Sequence, residues 1–102
     1  MAAMNTEAAM LTNIDRHADA ERAYARLLTA VEGALPPGHW QIALVRFSLG
    51  LCLMRQERFA EAAPHIDQAV GEATAALGAD HAFTRRMIED QARNRSKLEA
   101  MR

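Results

Sequence analysis

Few side chains in this chain combine the type and spacing that catalysis or metal binding requires. Four histidines, His17, His39, His65 and His81, are dispersed along it. No HExxH pattern and no His/Cys cluster at ligand spacing occurs, so no metal site is expected. His39 and His81 stand 42 residues apart, an interval that returns below and favours a structural or capping role for both. Cys52 is a single cysteine in an apolar stretch; it reads as a small buried hydrophobe and can form no internal disulfide. A nucleophilic role would need a partnered base, and no neighbour in sequence supplies one. Glu89 and Asp90 are adjacent, so on a helix their side chains diverge instead of making an acid/base pair. Phosphate-cradling glycine loops are absent, and Asn94-Arg95-Ser96 is a glycosylation sequon only for a secreted protein. The expectation is a non-catalytic chain with no cofactor.

The elements that would position any site are helices. At 102 residues and 11.3 kDa the chain has the size of one compact domain, here taken as 1–102. Half of it is apolar and a quarter charged, as in globular proteins. The formal net charge of −1 provides no general field for nucleic acid. No apolar run reaches the roughly 18 residues of a membrane span. Met1-Ala2-Ala3-Met4-Asn5 lacks the basic start of a signal peptide, and a reducing cytoplasm is the expected compartment.

Twenty-two alanines against five glycines and three prolines favour helix, and no segment alternates as a strand would. Pro36-Pro37-Gly38 must end one helix and allow another to start. Leu77-Gly78-Ala79-Asp80 is a second break, with Gly78 as helix terminator and Asp80 as the next cap. Arg55-Gln56-Glu57-Arg58 is a third, and Asn13 to His17 a fourth, with Asn13 or Asp15 as cap. Five helices are expected, near 3–13, 18–34, 40–55, 59–76 and 81–99. Pro64 falls inside the fourth and should bend it mildly.

Shifting the chain by 42 residues sets Ala18-Asp19-Ala20 on Ala60-Glu61-Ala62, Leu35 on Leu77 and His39 on His81. Breaker falls on breaker and small residue on small residue. In the central unit Leu49, Gly50 and Leu53 share one face, and Ala62, Ile66 and Ala69 share a face of the partner helix. Gly50 inside a helix costs about 1 kcal/mol relative to alanine. A close helix crossing opposite Ala62 would offset that, with Phe59 filling the turn.

At Leu49-Gly50, Leu53, Phe59, Ala62, Ile66 and Ala69 the chain resembles a tetratricopeptide repeat, in the 42-residue form of kinesin light chains and many bacterial proteins. The linker Leu77-Gly78-Ala79-Asp80-His81 resembles that family's inter-repeat segment, although the proline that ordinarily follows the histidine is Ala82 here and Trp40 one unit earlier. The resemblance implies an all-α array of stacked antiparallel hairpins, about two and a half repeats long. It divides the chain into a partly degenerate first repeat over 1–34, a central repeat over 39–76 and a solvating cap over 81–100. It also implies a protein-interaction scaffold with no chemistry of its own.

Helix 40–55 carries a second apolar stripe, Leu44, Phe47, Leu51 and Met54, opposite the stripe of Ile42, Val45, Leu49 and Leu53. In the family such a stripe sits where peptides are held. One unit on, its flank is Arg86, Glu89, Arg93 and Ser96. From Arg85 onward six basic residues face three acidic ones, whereas residues 1–84 carry six basic and ten acidic. That asymmetry fits a solvated terminal helix whose arginines face water, or else an anionic partner, and the lack of interleaved aromatics disfavours nucleic acid. The expected partner is a protein or peptide segment with apolar and acidic side chains. Three other outcomes stay open: neighbouring helices of the same chain cover the stripe, a second copy covers it in a homodimer, or the chain regulates a larger assembly. Glu72 reads as an ordinary surface residue.

Overall fold

A computed structural model describes residues 17–101. It contains four helices, α1 (His17–Ala34), α2 (Trp40–Arg55), α3 (Phe59–Leu77) and α4 (Ala82–Ala100), and no strand among the described residues. These agree to within a residue or two with the expected spans from 18 onward. The expected helix over 3–13, with its cap at Asn13 or Asp15, lies outside the described residues.

Each connection is local chemistry. Between α1 and α2 the His39 N–H donates to the Pro36 carbonyl at 3.1 Å, closing the proline-glycine turn. At the end of α2 the Arg58 N–H reaches Leu53 O at 2.9 Å and the Glu57 N–H reaches Met54 O at 2.9 Å. This is the paired hydrogen bonding of a Schellman cap. Its pivot is Glu57, at φ 61°, where glycine is the usual residue. Glu57→Gly is therefore expected to raise stability by about 1 kcal/mol, seen as a higher melting temperature. Gly78 closes α3 at φ 90° and ψ 155°, a region open essentially to glycine alone.

The caps of α2 and α4 are histidines. His39 Nδ1 accepts from the Gln41 N–H at 3.1 Å, and His81 Nδ1 accepts from the Phe83 N–H at 3.2 Å. Their backbone angles nearly coincide, φ −63°, ψ 136° and φ −66°, ψ 142°. Asp80 is thus not the cap: His81 stands one residue nearer the helix, with the ring nitrogen placed to accept. Trp40 and Phe83 stack with ring centroids 6.3 Å apart, joining the starts of the two helices.

Two apolar clusters hold the helices together. Leu28, Ile42 and Leu49 join α1 to α2, with Tyr24, Val31, Leu35 and Val45 packed around them. The larger cluster has Ala43, Phe47, Leu53, Ala62, Ile66, Ala69, Ala73 and Met87 at its centre and joins α2, α3 and α4. Gly50 lies at the α2–α3 crossing. A Cβ built there would sit 2.6 Å from Ile66 Cγ1. The close approach is as expected, but the group filling the glycine's space is Ile66, whereas the sequence pointed to Ala62. Helix α3 runs through Pro64 without interruption.

Along α4, Thr84 donates to Ala73 O at 3.4 Å, Gln91 to Asp67 at 2.8 Å and Asn94 to Phe59 O at 3.1 Å. The order of these partners shows that α4 runs antiparallel to α3. Helix α2 is antiparallel to α3 as well, so α2 and α4 point the same way, side by side.

Two ion clusters absent from the sequence reading fasten α1. Arg46, a buried guanidinium in the middle of α2, bonds Glu72 of α3 at 2.9 Å and Glu32 of α1 at 3.1 Å. Near the other end, Glu21 of α1 accepts from Arg58 at 2.6 Å and from Gln56 at 3.0 Å. Glu72 is consequently no ordinary surface residue, because its carboxylate neutralises a desolvated cation.

His65 on α3 is held below the ordinary histidine range, first by burial and then by the charge of Arg46, with Glu21 partly opposing. Its neutral form is thus favoured in the folded chain. Stability from this residue is present above the ordinary histidine pKa of about 6.5 and is lost as pH falls through the lower folded value. Thermal melts are expected to drop as pH falls below about 6.5, and His65→Gln to remove that histidine's share of the drop.

Candidate functional site

The side-by-side placement of α2 and α4 leaves a cleft of 380 Å³ between them, floored by α3's start. Leu51 and Met54 of α2 and Phe59 of α3 give it apolar walls; Arg55, Arg86, Arg93 and Lys97 bring positive charge, and Glu57 and Asp90 negative. The helical period explains the α4 contribution. Arg86, Asp90, Arg93 and Lys97 recur at intervals of three and four residues, and so form one stripe.

Asp90 organises the cationic wall. Its side chain is only 3% exposed, while those of Arg86 and Arg93 are 68% and 63% exposed. Arg86 Nε donates to one carboxylate oxygen at 3.2 Å, and Arg93 Nη1 to the other at 2.5 Å. Two guanidiniums thus share a single carboxylate, keep one unneutralised charge between them, and point their remaining donors outward. With Arg55 and Lys97 set against Glu57, the cleft carries excess positive charge over an apolar base. Such a surface can hold a carboxylate or another anion beside an aliphatic or aromatic side chain.

Of the expected groove residues, Leu51, Met54, Arg86 and Arg93 meet in this cleft. Phe47 does not take part, because it is buried in the core shared by α2, α3 and α4. Leu44 is half-buried outside the lining, and Glu89 is exposed on another face of α4. Packing within the chain therefore covers part of the second stripe. Among the motif residues, Leu49, Gly50, Leu53, Ala62, Ile66 and Ala69 are buried, and Phe59 is half-buried beside the cleft.

Sequence reasoning missed Asp90 as an organiser, although its spacing of four from Arg86 and three from Arg93 was the available signal. Cys52 is fully buried, and burial pushes its thiol pKa up, away from the reactive thiolate. Among the described residues no three His, Cys, Asp or Glu side chains gather as a metal site, and no helix is long and apolar enough to cross a membrane. A smaller cleft of 230 Å³ lies over the Arg46 cluster, with Glu32, Glu72 and Gln68 in its wall. Comparison with protein families, curated proteins and solved structures finds no match.

Proposed function

We propose that this chain is a non-catalytic protein-interaction module of tetratricopeptide-like construction, whose α2–α4 cleft takes a peptide segment with apolar and acidic side chains. The observation that carries this reading is the convergence of Leu51, Met54 and Phe59 with four cations against two carboxylates, one of them buried and already engaged. Anchoring an apolar side chain supplies most of the affinity in such a groove, and charge complementarity supplies orientation and encounter rate. The recurrence of the histidine cap at His39 and His81 with matching backbone angles, and the parallel course of α2 and α4, support repeat-like stacking. The same stacking would put α2 and α4 on the inner wall of an array.

Selection of peptides from a random display library against the recombinant chain tests this. Enriched sequences are expected to combine Asp or Glu with Leu, Ile, Met or Phe. Binding of a selected peptide should fall at least about tenfold when both Arg86 and Arg93 become glutamate, because two attractive partners become repulsive. Because both arginines also neutralise the buried Asp90 carboxylate, the variant carries Asp90→Asn as well, so that no unpaired buried charge is left, and its circular dichroism is expected to stay helical. Equal affinity for the variant would dismiss the cleft as the site.

A further inference from the structure

The face of α4 turned away from α3 and from the cleft is exposed along its whole length, through Arg85, Ile88, Glu89, Ala92, Arg95 and Glu99. These positions follow the three- and four-residue spacing of one helical stripe. Its centre is Ala92, small enough to let another helix come close. None of its four charges makes an ion pair among the described residues.

The order of the charges is self-complementary. If a second α4 crosses antiparallel with a two-fold axis at Ala92, residues equally distant from Ala92 on either side face each other. Glu89 and Arg95 are each three residues from Ala92, so Glu89 of one copy meets Arg95 of the other. Arg85 and Glu99 are each seven residues away, so they pair likewise. Both opposite-charge pairs then occur twice, as a two-fold interface requires. Ile88 of each copy would pack beside the axis. A parallel pairing would instead set each charge against its own like.

We infer that α4 is a homodimerisation helix, with a second copy of this chain covering the Arg85–Glu99 stripe antiparallel about Ala92. The inference does not depend on what the cleft binds, because Arg86, Asp90, Arg93 and Lys97 lie on a different face of the helix. A single helix pair with one apolar anchor per copy places the interface at the small end of stable contacts, so a dimer that dissociates on dilution is expected.

The test is light scattering and sedimentation of the whole chain from about 10 to 200 μM. A monomer–dimer equilibrium weakened by added salt is expected. Glu89→Arg and Arg95→Glu should each weaken it by at least about tenfold, since each places like charges opposite one another at two symmetry-related points. Mixing these two variants should restore association as a heterodimer, because every 89–95 contact then joins opposite charges. That rescue cannot come from misfolded chains. A monomer across the whole range would overturn the inference, as would a dimer indifferent to both reversals or a mixture without rescue.

Discussion

Replacing Gly50 with leucine is expected to destabilise the chain by about 3 kcal/mol or more, read from urea or thermal unfolding. The Cβ alone would stand 2.6 Å from Ile66 Cγ1 and 3.4 Å from Ile66 Cδ1. Ile66 cannot easily give way: it is wholly buried, and a β-branched side chain in a helix is largely confined to one rotamer. Leucine adds further carbons to a crossing with no space for the first. Gly50→Ala sets two effects against each other. Alanine gains up to about 1 kcal/mol in helix propensity, whereas the overpacked contact costs about 1–3 kcal/mol, so a smaller net loss is expected. Ala62→Leu, at another fully buried position of α3, should behave as Gly50→Leu does. A Gly50→Leu melt matching the parent would mean that α2 and α3 do not cross here.

The second large effect is expected at Arg46. Removing one member of a fully buried ion pair costs about 3–5 kcal/mol. The Arg46 side chain is 9% exposed and that of Glu72 is 19% exposed, but Glu32 is 47% exposed. Water can therefore take over part of the carboxylate solvation, and about 2 kcal/mol is the expected loss for Arg46→Ala. Arg46→Met keeps an unbranched stem against the neighbouring helices and should lose less, which separates packing from charge. Glu72→Gln removes a charge from the same cluster and is expected to cost about 1 kcal/mol, more than the ~0.5 kcal/mol of an ordinary surface change. Loss of Arg46 should also shrink the acid-side drop in stability due to His65, whose pKa it helps to lower.

These two sites show what was legible in the chain and what was not. Gly50 announced itself, since an interior glycine in an apolar helix needs a compensating neighbour, and alanines spaced for a helix face followed at 62, 69 and 73. Breakers at Pro36-Pro37-Gly38 and Gly78 marked the helix ends because their backbone preferences are local. Arg46 was hidden. One arginine among apolar residues gives no sign of its partners when these lie 14 and 26 residues away. The cleft was half visible for a related reason. Periodicity put Leu44, Phe47, Leu51 and Met54 on one stripe, but it could not tell that α3 and α4 close over Phe47 and leave the stripe open toward the end of α2. On α4, counting one repeat forward placed Glu89 in the groove with Arg86 and Arg93, yet the helical stripe that lines the cleft continues through Asp90.

Ligand binding between α2 and α4 would leave a localised trace along the chain. Amide and methyl chemical shifts of the isotope-labelled chain, followed while a library-selected acidic-apolar peptide is added, test it most directly. Shifts are expected to concentrate at Leu51, Met54, Phe59, Arg86 and Arg93 and to disappear in the Arg86→Glu/Asp90→Asn/Arg93→Glu variant. Shifts concentrated on α1 or around the Arg46 cluster, with those five residues unmoved, would place the binding site elsewhere than the α2–α4 cleft.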